Sequence, residues 1–214
     1  MVVRNRIAKA TLNDWQSELS NWTDVESFRH RVDEINNSIS RSIFFRQAGL
    51  AFLRDAWIAS RVAAALSSDL VRLAPAERPD FEVQTSGSIK QFEATEADQD
   101  DRRRGDEEDG PELQPDPVEK WRERFEAIPS ALDRVVTKKI AKDYPSGVGL
   151  VIYVNLSCYR AYLDEGLPIL RKGTAPAKDK FGAVFVMWEG TLYKFWDQGV
   201  AVSDQWQYAR DEIY

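Results

Sequence analysis

The sequence predicts an α/β protein, a mixed β-sheet flanked by helices with a helical extension at its N-terminus. Three observations carry that prediction. Apolar residues recur every three or four positions from about residue 42 to 70. After Pro75 the period changes to alternation, in RPDFEVQ and IKQFEATEA on either side of TSGS. Beyond residue 146, GVGLVIYVNL is a continuous apolar run, the pattern of a strand buried on both faces.

The elements follow in order. Thr23 with Glu26 reads as a capping box opening a helix, and Trp15 and Trp22, seven apart, suit a short N-terminal helix docked on a core. Residues 1–40 are read as a helical extension and 41–214 as the α/β domain. The extension is equally compatible with a homodimer contact or a lid. In the long helix Phe45, Ala48, Phe52, Ala56, Ala59, Ala63 and Leu66 form the apolar stripe, with Arg46, Arg54 and Arg61 between them. The alternating stretches form a hairpin turning at Ser86 and Gly87. Residues 98–116 have almost no apolar side chains and read as an acidic surface loop. Asp116 and Pro117 start a helix that Pro129 should end, and Ser130 with Asp133 should cap a second one running to about Tyr144. Arg171, Lys172, Lys178 and Lys180 mark a loose basic loop, and FGAVFVMW, Glu189-Gly190 and TLYKFW a last hairpin.

Composition narrows the chemistry. In 214 residues there is one Cys, Cys158, and one His, His30, so a disulfide framework and Cys/His zinc clusters are excluded. A metal would have to sit on carboxylates. His30 has no partner in the sequence and gets no role, and Cys158 reads as a small buried thiol. No apolar run is long enough to span a bilayer and the N-terminus lacks the apolar stretch of a secretory signal, so the expectation is a cytoplasmic protein without a membrane partner. The net charge of −6 argues against a polyanionic partner, but its distribution does not. Residues 93–116 hold eleven acids against three arginines, which leaves the rest of the chain slightly positive.

Register carries the functional reading. With Ser86 and Gly87 as turn residues, Phe81 faces Phe92, Glu82 faces Gln91 and Asp80 faces Glu93 across the hairpin. Directly opposed side chains have Cβ atoms about 4.5 to 5.5 Å apart, so the two carboxylates repel unless a proton or a cation lies between them. Mg²⁺ is a natural occupant, because it is held by one or two carboxylates together with water and substrate phosphate.

Pro79-Asp80 at the head of one strand, followed by a hairpin and Glu93-Ala94-Thr95 on the next, resembles the signature of the PD-(D/E)XK nuclease-like superfamily, the restriction-endonuclease-like fold. The order of helix, hairpin, helix and strand from residue 42 to 156 is similar to that family's core, about half the chain. The resemblance implies a Mg²⁺- or Mn²⁺-dependent nuclease acting on nucleic acid, DNA being the first expectation, with Asp80 and Glu93 as metal ligands and Asp55 of the long helix as an accessory one. Thr95 stands where the family has its lysine, and some members bring that lysine from the following helix. Relative to Leu132, Lys139 falls at about 340° around such a helix, within the apolar stripe, and Lys142 at about 280°, on its border. Lys139 is the first candidate for the missing cation and Lys142 the second; a lysine snorkelling past the sheet edge is the competing reading. Arg102, Arg103 and Arg104 are candidates for holding substrate phosphate or, equally, for neutralising the acids beside them, and an ion pair with Arg54 competes for Asp55. The alternative function is a catalytically inactive member of the fold that binds nucleic acid or protein; a stand-alone regulatory or mobile-element accessory role is a third.

Overall fold

The computed structural model describes residues 6–40, 43–44, 47–75, 78–99 and 118–208. The chain divides into two compact units, Met1–Lys90 with Arg103–Leu113, and Gln91–Arg102 with Gln114–Tyr214. Five α-helices and eight strands lie among the described residues.

The N-terminal unit is helical on one side and antiparallel on the other. Helix α1 spans Lys9–Leu19, β1 Thr23–Asp24, α2 Val25–Ser38, α3 Ala51–Ala65, β2 Leu70–Leu73 and β3 Phe81–Thr85. Asp24, not Thr23, caps α2: its carboxylate accepts the Ser27 N–H at 2.9 Å, which holds its pKa below the usual carboxylate range. Helix α1 buries Leu12 and Leu19, while Trp15 and Trp22 stay only half-buried. Helix α3 is shorter than the periodicity suggests and is buried nearly all round, from Leu53 to Ala63. Arg61, expected on its polar face, is 1% exposed; it donates to Asp33 Oδ1 at 3.1 Å and to Ser60 Oγ at 2.8 Å. That ion pair ties α3 to α2. Strand β2, which the sequence reading missed, pairs antiparallel with β1 and β3.

The turn after β3 is as expected. Ser86 and Gly87 have φ of 49° and 78°, the left-handed values a two-residue type I′ turn requires at both centres. The Ser86 N–H is held by Asp69 Oδ2 at 2.7 Å. Strand β4, Ser88–Ala97, leaves this turn and runs into the C-terminal unit.

That unit is built of crossover connections. Helix α4 spans Val118–Ile140, β5 Gly149–Val154, α5 Leu163–Thr174, β6 Ala183–Trp188, β7 Thr191–Asp197 and β8 Val200–Gln207. β4, β5 and β6 are parallel, with α4 and α5 in the connections, and β6, β7 and β8 continue antiparallel, so the sheet is mixed. Both helices pack on one face over a core that includes Leu132, Val136, Leu150, Ile152, Leu170, Val186 and Trp188. Two sequence expectations fail here. Helix α4 runs unbroken through Pro129, and Ser130 does not cap a new helix but donates its hydroxyl to the Ala127 carbonyl at 3.0 Å. The basic loop expected near residue 171 is the last turn of α5, which also contains a proline, Pro168.

Strand β7 carries a bulge. Val184 pairs with Trp196 and Phe185 with Lys194, which leaves Phe195 as an extra residue toward β6. The phase of the strand slips there, so the consecutive Phe195 and Trp196 both pack on the α5 side. The turn between β6 and β7 is the expected one, with Glu189 at φ 51° and Gly190 at φ 80°.

Candidate functional site: Glu93, Lys139 and Tyr144

Glu93 lies on β4 opposite Leu150 of the parallel β5, on the side covered by α4. Alternation along β4 sends Phe92 and Ala94 to one face and Glu93 and Thr95 to the other. Lys139 sits on the last turn of α4, inside its apolar stripe as the helical angle predicts, and is buried together with Glu93. Its ammonium lies 2.5 Å from Glu93 Oε1 and donates a second bond, 2.8 Å, to the Ala94 carbonyl. The Tyr144 hydroxyl, in the segment leading out of α4, donates to the same Oε1 at 3.1 Å. The geometry therefore brings a strand carboxylate and a helix lysine together across 46 residues of sequence.

The satisfaction of this carboxylate is one-sided. Oε1 accepts two bonds, whereas Oε2 is buried without a hydrogen-bond partner. A buried carboxylate oxygen left bare costs on the order of 1–3 kcal/mol, so a site of this kind invites water or a cation. A carboxylate oxygen is a donor that Mg²⁺ or Mn²⁺ takes, but here it is a single one, on a side chain 3% exposed whose other oxygen is held by the Lys139 ammonium. No group of three or more Asp, Glu, His or Cys side chains that could hold a metal ion is present among the described residues.

The other sequence-predicted residues stand as follows. Asp80 precedes β3 in the N-terminal unit, half-buried, and its carbonyl accepts the Ala74 N–H at 3.0 Å. Asp55, on α3 of the same unit, is bound by its neighbour Arg54 at 2.8 Å, the ion pair that competed with a ligand role. Lys142 follows the end of α4, half-buried, with its backbone N–H on the Lys139 carbonyl at 3.2 Å. Thr95 is half-buried on β4. Arg102, Arg103 and Arg104 lie outside the described residues.

Three residues of consequence escaped the sequence reading. Tyr144 joins the Glu93 pair, and its place two residues beyond Lys142 was the only signal for it. Arg72 on β2 neutralises Glu82 through contacts of 2.8 and 2.7 Å, so one acid of the hairpin already has its cation on the strand that was missed. Glu189, 5% exposed, accepts the backbone N–H groups of Cys158 at 2.7 Å and Arg160 at 3.1 Å, and so fixes the loop after β5. Burial and the charge of Glu189 push the Cys158 thiol above its ordinary pKa, which makes it a poor nucleophile at neutral pH. His30 is exposed beside Glu34, away from any core. No helix among the described residues is long and apolar enough to cross a membrane.

Comparison with known proteins adds little to this geometry. No family model matches the sequence, and no curated protein matches it. Among solved structures the chain is similar to a protein of unknown function from Pseudomonas aeruginosa strain PAO1, described as belonging to the monooxygenase superfamily. The two are 14% identical with a TM-score of 0.41, covering 86% of this chain and 94% of that one. A likeness at that distance assigns neither fold nor chemistry.

Proposed function

We propose that this chain is a divalent-metal-dependent phosphodiesterase acting on nucleic acid, a PD-(D/E)XK-type nuclease whose lysine has moved from the strand to the following helix. The observation that carries the reading is the Glu93–Lys139 pair at 2.5 Å with Oε2 of Glu93 bare beside it. The order of α3, β2, β3, β4, α4 and β5, with β5 parallel to β4, supports it as well. Glu93 would hold the metal. When bound, Mg²⁺ or Mn²⁺ supplies Lewis-acid polarisation of the phosphate and lowers the pKa of water. Lys139 places a positive charge beside the carboxylate, where Thr95 has none to offer, and Tyr144 fixes the rotamer of Glu93 through its hydroxyl.

A second reading, an inactive binding module on the same scaffold, is favoured by one observation: the Glu93 side chain is 3% exposed and Lys139 occupies one of its oxygens. Cleavage of labelled DNA separates the two. The nuclease reading expects Mn²⁺-dependent cleavage by wild type that falls by about two orders of magnitude or more in Glu93→Gln and Lys139→Met, with the folds checked by circular dichroism. Absence of cleavage by wild type, with no shift in melting temperature on adding Mn²⁺, selects the binding module.

A further inference from the structure

Two basic segments far apart in sequence meet at one end of the C-terminal unit. Residues 138–143 carry Lys138 and Lys142 against Asp143, with Lys139 already paired to Glu93, and residues 171–182 carry Arg171, Lys172, Lys178 and Lys180 against Asp179 alone. In a chain of net charge −6 this is a concentrated positive field. Three contacts hold the segments together. Tyr144 and Phe181 pack ring to ring with centroids 5.1 Å apart. The Gly182 N–H binds the Val148 carbonyl at 2.9 Å. Gly182 crosses Gly147 so closely that a Cβ on it would lie 2.7 Å from the Gly147 carbonyl oxygen.

The same contacts lead to the candidate site. Tyr144, whose ring rests on Phe181, gives its hydroxyl to Glu93, and the Lys142 N–H is bound to the carbonyl of Lys139. The charges here are weakly neutralised. Lys180 reaches Asp143 only at 3.8 Å, and that carboxylate is fully exposed. Lys178 places its ammonium over the Trp196 ring at 5.6 Å, a cation–π contact that holds the charge at this end of the unit without cancelling it with an acid. On the neighbouring strand, Lys194 and Asp197 compensate each other and add nothing to the field.

We propose that this end of the C-terminal unit is the surface along which the nucleic-acid backbone lies, with Lys142, Lys178 and Lys180 each meeting a phosphate. The inference rests on the nuclease reading of Glu93 and Lys139, and it moves Lys142 from a catalytic to a substrate-holding role. Lysines spaced along a face act as point charges on phosphates, so the surface is insensitive to sequence and strongly sensitive to salt.

The test measures binding of a fluorescein-labelled DNA duplex by anisotropy over a salt series, with EDTA present so that no cleavage occurs. The test variant carries Lys142→Gln, Lys178→Gln and Lys180→Gln. A control carries Arg6→Gln, Lys9→Gln and Lys90→Gln, the same charge change within the N-terminal unit. The proposal expects the test variant to bind on the order of tenfold or more weakly, with the slope of log K against log salt shallower by about 2 to 3, while the control stays within about twofold of wild type. An unchanged slope in the test variant, an equal loss in the control, or wild type that binds anionic lipid vesicles but not duplex overturns it. Cleavage assays keep the two readings apart. Mn²⁺-dependent cleavage lost in Glu93→Gln, without a slope change in the lysine variant, overturns this inference and leaves the nuclease. A slope change in a protein that cleaves nothing does the reverse.

Discussion

Two buried acids on neighbouring parts of the chain are compensated in different ways. Glu82 on β3 lies directly opposite Arg72 of β2, which reaches it with two nitrogens while stacking over Trp22 at 4.4 Å. Strand pairing alone delivers that cation. Glu93 on β4 lies opposite Leu150 of β5; its cation comes from α4, 46 residues away, as an ammonium that satisfies one oxygen and leaves the other bare. A planar guanidinium in a cross-strand pair behaves as structural cement. A single ammonium delivered by a helix leaves the second carboxylate oxygen unanswered. Both Arg72 nitrogens meet the same Glu82 oxygen, Oε2, so the difference lies in the other one: among the described residues Glu93 has an oxygen buried without a partner and Glu82 does not.

The largest effect expected from this contrast is in stability. Lys139→Met leaves Glu93 buried and unpaired and should cost about 3–5 kcal/mol in urea denaturation, with Glu93→Gln in the same chain restoring most of the loss. Equal stabilities for the single and double variants would show that the pair is not a buried ion pair in solution. Gly182→Ala comes next. The added methyl would press on the Gly147 backbone, and a loss of about 1–3 kcal/mol is expected, with the duplex-binding slope changing in parallel. Arg72→Ala should cost about 1–3 kcal/mol, less than Lys139→Met, because Glu82 is buried but a quarter of the Arg72 side chain is still in water. If it costs as much as Lys139→Met, the proposed distinction between the two acids fails.

The smallest effect concerns pH. The Cys158 thiol has a raised pKa in the folded state, so its contribution to stability is fully present below the unfolded thiol value, about 8.5, and is lost as pH rises through the folded one. Stability should therefore decline gently above that point in wild type and less in Cys158→Ala. Native protein should also react with iodoacetamide far more slowly than unfolded protein at the same pH.

Legibility in the sequence followed the locality of the forces. The Ser86-Gly87 turn was readable because few residues tolerate two successive positive φ angles, and β5 because six apolar residues in a row leave no solvent face. Lys139 was readable by angle, since the apolar stripe of α4 fixes which side chains meet the sheet. What escaped was set by tertiary packing. Pro129 forfeits one backbone bond, yet Phe125, Ile128, Ala131 and Leu132 are buried around it and hold the helix through it. Pro168 hid α5 in the same way, under a composition that resembles a loop. Strand β2 was invisible because LVRL is too short to show a period. The partner of Glu82 was invisible with it.

The extra residue in β7 has an unusual corollary for the gene. Dropping one amino acid from a strand ordinarily throws every later side chain onto the opposite face. Here excision of Phe195 would close the register toward β6 and return each remaining neighbour to the side it already occupies. Lys194 and Asp197 form an ion pair at a spacing of three, which a regular strand would place on opposite faces; they would become ordinary second neighbours. The slack would fall on β8, whose residues are mostly exposed, so the cost of such a codon deletion would be the buried Phe195 ring and not a flipped strand.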